Sequence, residues 1–278
     1  MTRKQKIIFF AVWLTLIAGI LAAIFLIGIP SGGHEGIKEA MKDGVLHEKN
    51  RVSLFGLTVN PALKSAFSVT GILLVLALIM RVFAVPRFRT VPGPFQAIIE
   101  KAVGLFDDMA KNNSPHKSGF IAAYIFGAGA YIFLGTLFEL FGFQTVTTEG
   151  ASVALPAPLS DINGALGMGF LSFGVILISG IVVNGPLGGL KVLKDFSLPV
   201  SMSFRLFGAL LSGLLVTELV YHFTALSFGL PVVVGVLFTL LHAVIQAYVL
   251  TTLVSIFYGE AVEPRKKKEK KKANEVIS

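Results

Sequence analysis

Six stretches of the chain are mostly apolar and long enough to cross a lipid bilayer as helices. A helix rises 1.5 Å per residue and the hydrocarbon core of a membrane is about 30 Å thick, so one crossing needs about 20 residues. The stretches run from Ile7 to Ile29, Ala66 to Val85, Phe120 to Phe143, Ile162 to Val183, Val200 to Phe223 and Val232 to Tyr258. Of the 278 residues, 54% are hydrophobic and 14% charged, more apolar than a soluble domain of this length can bury. The sequence predicts an all-α polytopic membrane protein with about six spans.

The positions of lysine and arginine predict the orientation of these spans, because short cytoplasmic loops retain basic residues. The loops from Gln144 to Asp161 and from Thr224 to Pro231 contain neither residue. Basic residues occupy the N-terminus, the segments before the third and fifth spans, and the C-terminal tail. We therefore expect both termini to be cytoplasmic, and the tails to contact the membrane rather than nucleic acid.

The spans divide the chain into four expected segments. Residues 1–30 form an anchor, or a signal peptide if the chain is cleaved near the SGG that precedes His34. The apolar region is about twice the usual 7 to 15 residues of a signal peptide, which favours the anchor. Residues 31–65 form an external loop of mixed charge, residues 66–260 the membrane domain, and residues 261–278 a basic cytoplasmic tail.

The segment VPGPFQAIIEKAVGLFDDMAKNNSP, between the second and third spans, has the pattern of an amphipathic helix. One side carries apolar residues at helical spacing, namely Ile98, Ile99, Ala102, Val103, Phe106 and Met109, and the other carries charges. We expect this helix on the cytoplasmic surface of the membrane. The alternative is a soluble turn that packs on the spans.

The fifth span contains one arginine, Arg205, in an apolar context. Counting 100 degrees per residue, Ala209, Ser212 and Val216 lie within about 40 degrees of it, and Gly208 slightly further away. Small residues on one stripe allow another helix to approach closely. Placing a charged side chain inside a membrane costs at least a few kcal/mol of insertion free energy. Such a side chain therefore usually faces water or a counter-charge, or it is long enough to reach the membrane surface.

Other polar residues in the last two spans favour an ion pathway over the alternative that the Arg205 side chain simply reaches the cytoplasmic membrane surface. Glu218 and His222 lie one helical turn apart, and Thr239, His242 and Gln246 share a face of the last span. A lone polar residue in a membrane helix is usually a packing contact. A stripe of three opposite a helix with an arginine is more typical of a transport pathway.

These residues resemble subunit a of the F-type ATP synthase. The segments that carry the resemblance are PVSMSFRLFG around Arg205, IQAYVLTTLVSIFY in the last span, VPGPFQAIIEKAVGLFDDM and LPAPLSDINGALGMGF. Arg205 and Gln246 stand 41 residues apart, which is close to the family spacing. The similarity extends from about Gly56 to Glu260.

The resemblance implies a role for each matching residue. Arg205 would be the stator arginine that deprotonates carboxylates of the c-subunit ring, and Gln246 its neighbour, on two long tilted helices that form a hairpin against that ring. The residues expected to line the half-channels are Glu139, Asp161 and Asn163 on the outer side, Lys191 and Lys194 on the cytoplasmic side, and Thr239 in the last span. The resemblance also implies peripheral stalk b subunits as partners, a bacterial inner membrane, no cofactor and no metal.

Four positions depart from the family pattern, one of them Thr239, which stands at another common polar site seven residues before Gln246. Ala209, Leu214 and Lys191 stand where the family often has asparagine, a glutamate or histidine, and a carboxylate, respectively. Glu218 points about 220 degrees from Arg205 and Leu214 about 180 degrees, so Glu218 could supply the missing carboxylate. His242, one turn from Thr239 on the same face, could replace the missing relay histidine, and His222, one turn from Glu218, is a further candidate for proton transport.

Two other functions remain open from the sequence. A stand-alone secondary transporter would also need buried charges, and a membrane assembly factor would also pack helices through small residues. The chain contains no cysteine and no GxxxxGK[ST] phosphate-binding motif, and its histidines are isolated. We therefore expect no catalytic site on this chain.

Overall fold

The computed structural model describes residue 15 and residues 51–54, 56–115, 118–148, 150, 152–222 and 230–264. At positions 214, 217–222, 230, 231 and 234 it describes the backbone alone. The chain forms two compact units, one of Met1–Lys49 with Ser212–Phe238 and one of Asn50–Leu211 with Thr239–Ser278. The predicted first span, apart from Thr15, and the C-terminal tail beyond residue 264 lie outside the described residues.

The described residues form seven α-helices. They are α1 (Pro61–Ile79), α2 (Pro94–Asn113), α3 (Ser118–Phe138), α4 (Ile162–Asn184), α5 (Pro186–Leu193), α6 (Ser197–His222) and α7 (Leu230–Val262). Four helical segments there are long and apolar enough to cross a membrane: Pro61–Arg87, Ser118–Phe141, Ile162–Asn184 and Gly235–Val262. They coincide with four of the predicted spans, and α6 coincides with a fifth. The chain is an all-α polytopic membrane protein, as the sequence predicts.

Two short antiparallel hairpins accompany the helices. Strand β1 (Val52–Leu54) pairs with β2 (Leu57–Val59), and β3 (Gln144–Val146) pairs with β4 (Ser152–Ala154). A bridge between Val52 and Thr147 joins the hairpins. They fix the segments that lead into α1 and α4.

The ends of α1 differ from the expected boundaries, Ala66 and Val85. The helix begins at Pro61, because Asn60 accepts a hydrogen bond from the backbone N–H of Ala62 at 3.0 Å. After Ile79 it continues as a π-helical turn, Met80–Ala84, and a 3-10 turn, Val85–Arg87. Pro86 has no N–H to donate within the helix, and the helical path ends one residue after it, at Arg87, where Phe88 becomes extended.

The core of the larger unit lies among α3, α4, α6 and α7. Its fully buried side chains include Ile125 and Ile132 of α3, Ile176 of α4, Leu206 of α6 and Val254 of α7. By contrast, α1 exposes most of its apolar side chains, for example Leu74 and Leu78. In a membrane protein such exposed apolar surface faces lipid.

The predicted amphipathic helix is present as α2. Phe106 and Met109 pack against the core and Ala110 is fully buried, whereas Ile98 is 70% exposed. One flank of α2 therefore packs on the spans, and another leaves apolar side chains accessible to lipid. On the charged side, Asp107 pairs with Lys111 at 2.5 Å, and this hydrogen bond raises the pKa of Lys111.

Candidate functional site

Helix α6 buries one face and exposes the face that carries Arg205. Met202, Ser203 and Leu206 are buried, whereas Phe204 and Arg205 are exposed. Among the described residues, the guanidinium of Arg205 has no hydrogen-bond or ion-pair partner. The chain therefore holds Arg205 away from its own core, where another molecule could reach it.

The polar stripe on α7 is more buried than Arg205. Gln246 is 6% exposed and lies between the buried residues Ala243 and Ala247, while Thr239 and His242 are half-buried. The side-chain amide of Gln246 has no hydrogen-bond partner within the described residues, and so does not bond directly to Arg205. The structure thus places Arg205 and Gln246 in different environments, one open and one enclosed.

Glu218 and His222 continue along α6, whose helical backbone reaches His222. Their side chains lie outside the described part of the molecule. Both therefore remain predictions based on sequence.

Asp161 organises the N-terminal end of α4. Its Oδ1 accepts a 2.6 Å hydrogen bond from the backbone N–H of Asn163, which caps the helix. Its Oδ2 accepts a second hydrogen bond, from Nδ2 of Asn60. Since Asn60 also caps α1, this pair of side chains fixes the starts of two membrane-spanning helices relative to each other.

We predict that Asp161→Ala destabilises the protein by about 1 to 2 kcal/mol, because it removes both the helix cap and the bond from Asn60. Asp161→Asn should keep the cap, since asparagine caps a helix about as well as aspartate, but should lose the bond from Asn60, because the amide nitrogen that replaces one carboxylate oxygen cannot accept it. Its stability should therefore lie between that of Asp161→Ala and that of the unaltered protein. Thermal unfolding of the detergent-solubilised complex measures the difference. The control is Asn163→Ala, which changes an exposed side chain and preserves the capped backbone N–H. Equal stability of Asp161→Ala and this control would refute the structural role of the pair.

Two further polar side chains, Glu139 and Lys64, lie in segments close to the N-terminal end of α4. Glu139 occupies a 3-10 turn, Glu139–Phe141, that follows α3, and its side chain is half-buried with no hydrogen bond to a described residue. Lys64, one turn into α1, donates a 2.5 Å hydrogen bond from Nζ to Oγ1 of Thr145 in β3. Neither Asn60 nor Thr145 can be recognised as a contact residue from the sequence, because their partners are 101 and 81 positions away.

The C-terminal end of α4 is tied to the end of α7. Nδ2 of Asn184 donates to the backbone carbonyl oxygens of Ala261 and Glu263, at 2.9 and 3.1 Å. Nζ of Lys191 in α5 donates to the carbonyl oxygen of Glu260 at 2.8 Å. These bonds satisfy carbonyl groups that have no partner within α7 itself.

A small cavity lies beside these bonds. Its lining includes three charged residues, Lys191, Asp195 and Glu260. The cavity volume is about 10 Å³. This is close to the least space that one water molecule needs. The structure therefore groups Lys191 with two carboxylates, of which Asp195 was not among the predicted site residues.

Together these features define a class of protein. The described residues combine apolar spans, an exposed arginine on α6 and a buried amide on α7. This combination is typical of membrane subunits that conduct ions, because ionisable groups within spans are costly and usually functional.

Comparisons with known proteins identify the family within that class. The family described as "ATP synthase A chain" matches residues 66–259. Two relatives, each called "ATP synthase subunit a", come from Cereibacter sphaeroides strains ATCC 17025 / ATH 2.4.3 and ATCC 17029 / ATH 2.4.9. Each is 27% identical over 201 residues, which cover 68% of this chain and 77% of the relative. The chain belongs to the ATP synthase A chain family, the proton-channel stator subunits of F-type ATP synthase.

Proposed function

We propose that Arg205 deprotonates carboxylates of a c-subunit ring as they pass this chain, which couples proton flow to rotation of the ring. The observation that carries the proposal is the exposure of Arg205 on α6, without a partner among the described residues, opposite a buried face. An unpaired guanidinium inside a membrane protein needs an anionic partner from elsewhere. A ring carboxylate supplies that partner.

The strength of this interaction suits repeated exchange. A cation within about 4 to 6 Å lowers the pKa of a carboxylate by about 1 to 3 units, so the carboxylate loses its proton near Arg205. At an effective dielectric constant near 20, the attraction at 4 Å is about 4 kcal/mol. Arginine keeps its own proton, whereas a buried lysine can release its proton and open a leak.

Two separate half-channels would bring protons to and from the ring. Asp161, Asn163 and Glu139 belong to the outer one in this proposal, and Lys191 and Lys194 to the cytoplasmic one, together with Asp195 and Glu260 beside the small cavity. Thr239, His242 and Gln246 line the pathway in α7. Because each half-channel closes at mid-membrane, protons cross when the ring turns, and each charge that moves through 100 mV releases about 2.3 kcal/mol. ATP is then made elsewhere in the complex, and this chain carries no catalytic site.

The length of α7 supports contact with a ring. Its 33 residues correspond to about 50 Å, well above the hydrocarbon thickness of about 30 Å. A helix this long must tilt or extend beyond the bilayer. We propose that α6 and α7 tilt against the ring, that peripheral stalk b subunits bind the same chain, and that both termini are cytoplasmic at a bacterial inner membrane.

The relay hypothesis for Glu218 and His242 has a direct test. We predict that Glu218→Gln and His242→Ala each lower ATP-driven proton pumping by roughly tenfold or more, because positioned groups that transfer protons contribute at least that much. Pumping is measured as acidification of inverted membrane vesicles. Tyr248→Phe, which changes an exposed residue of α7, is the control. Full pumping by either relay variant would remove that residue from the pathway.

Reconstitution separates the stator from the stand-alone transporter. The stator function predicts no proton flux through vesicles that contain the purified chain alone, and ATP-driven pumping by vesicles that contain the whole complex. A secondary transporter would conduct without the ring. Flux through the isolated chain that Arg205→Ala abolishes would overturn the proposed function.

A further inference from the structure

A cavity of about 560 Å³ lies between the end of α1 and the start of α2, outside the proton pathway proposed above. Apolar residues line much of it, including Ile79, Phe83 and Phe95. Its polar lining consists of Arg87, Arg89 and Gln96. Its volume falls within the range of about 300 to 1,000 Å³ that is usual for small-molecule sites.

The positive charge at this cavity is not neutralised by the chain. Arg81, Arg87 and Arg89 are all exposed, and none forms an ion pair within the described residues. The positive charge of these arginines therefore favours an anionic ligand in the cavity. Guanidinium groups bind phosphate well, because their N–H groups match two phosphate oxygens at once.

The loop that carries Arg89 is held in place. The side chain of Gln96 is buried and accepts a 2.9 Å hydrogen bond from the backbone N–H of Arg89. The same amide donates a 2.8 Å hydrogen bond to the carbonyl oxygen of Arg89 and another, at 2.6 Å, to Glu100. Fixing the backbone in advance reduces the entropy lost when Arg89 binds a ligand.

The surroundings indicate lipid rather than a soluble ligand. Leu78, the residue before Ile79, is 63% exposed, and Phe95 and Ile98 on α2 are similarly exposed. These side chains belong at the depth of acyl chains. Arg87 is the last residue of the apolar segment Pro61–Arg87 and Arg89 follows two positions later, so both belong at the depth of the headgroups. An apolar cavity that opens beside two arginines at this boundary matches the two chemical parts of a phospholipid.

We propose that this cavity binds an anionic phospholipid, whose phosphate lies between Arg87 and Arg89 and whose acyl chain lies along Ile79 and Phe83. Basic pockets beside membrane helices are known to hold anionic headgroups. The bound lipid joins the end of α1 to the start of α2 at the membrane surface. This role is independent of the proton pathway.

Photolabelling tests the proposal on the intact complex. The complex is reconstituted in phosphatidylcholine vesicles with a small fraction of photoactivatable phosphatidylglycerol, and labelled peptides are located by mass spectrometry. We expect labelling within residues 79–96. Arg87→Gln combined with Arg89→Gln should lower it by roughly tenfold or more, since each basic residue near an anionic surface contributes several-fold.

Arg81→Gln is the matched control, because Arg81 is an exposed arginine of the same segment that does not line the cavity. Because Arg81 makes no contact in the cavity and its longer-range attraction is screened by salt, the variant should lower labelling by less than about threefold. Equal losses from Arg81→Gln and the double variant would overturn the proposal in favour of diffuse surface attraction. Equal labelling by photoactivatable phosphatidylcholine would also overturn it. So would suppression of labelling by inorganic phosphate that is added before illumination.

A second variant tests the cavity without changing charge. Gly93 lines the cavity, its φ is negative, and a Cβ there would meet no atom within 4 Å. Gly93→Leu should therefore fold and occupy part of the space, and we expect it to lower labelling severalfold. Unchanged labelling by Gly93→Leu, in a complex that still pumps protons, would exclude the cavity as the binding site.

Discussion

Arg205→Ala is expected to abolish ATP-driven proton pumping while the complex still assembles. Arg205 is exposed on α6 and has no partner among the described residues, so its loss removes few contacts within the chain. Without the cation, the pKa of a passing ring carboxylate rises by about 1 to 3 units, and its deprotonation becomes roughly 10 to 1,000 times less favourable. The measurement is acidification of inverted vesicles on addition of ATP, with the amount of assembled complex determined on the same membranes.

The control is Arg81→Ala, which removes another exposed arginine of the same chain, outside the helix that carries Arg205. It should leave pumping near the unaltered rate. Arg205→Lys adds a second comparison: it keeps a cation but permits deprotonation, so a passive proton leak should accompany any remaining pumping. Normal coupled pumping by Arg205→Ala would contradict the proposed mechanism and favour a purely structural role for the chain.

Much of the helical architecture follows from the sequence, because crossing a bilayer sets a minimum length of apolar residues. Four predicted spans match described helices to within about five residues at each end. The largest of these shifts, at Pro61, arises because the cap by Asn60 and the proline start the helix within residues that are less apolar than the span itself. Hydropathy does not detect caps.

Individual site residues were partly predictable. Arg205 and Gln246 are conspicuous because polar groups are rare within spans. Neither the exposure of Arg205 nor the burial of Gln246 could be read from helical spacing, since that depends on which face meets the core. The roles that the resemblance implies for individual residues remain predictions. The hypothesis that Glu218 supplies the carboxylate missing at Leu214 concerns two side chains outside the described part of the chain.

The contacts that sequence analysis missed share a physical cause. Asn60 bonds to Asp161 across 101 positions, and Asn184 bonds to carbonyl oxygens of α7 across 77 and 79 positions. Backbone carbonyls carry no sequence signature, and a polar residue at a helix end usually caps its own helix. Such bonds become visible when tertiary structure brings the helix ends together.

Close packing between α4 and α6 gives a second prediction of large effect. A Cβ at Gly169 of α4 would lie 2.7 Å from the carbonyl oxygen of Pro199, and closer still to Oγ of Ser203 in α6. Ser203 is buried and precedes Arg205 by two residues, so this contact helps set the position of the arginine. Because the obstructing carbonyl is backbone, Gly169→Ala must push the two helices apart. We expect a loss of about 1 to 3 kcal/mol in stability.

The matched control is Gly174→Ala on the same helix, where a Cβ would meet nothing within 4 Å. There the substitution should be neutral or stabilising, by up to about 1 kcal/mol, because alanine favours helices more than glycine does. The same glycine-to-alanine change is thus expected to alter stability in opposite directions at two positions five residues apart. Pumping should follow the same order, since a displacement of about 1 Å at a reacting group can slow a reaction by roughly 100-fold. Equal melting temperatures and equal pumping for the two variants would show that α6 does not depend on Gly169 for its position, and that Arg205 is placed by other contacts.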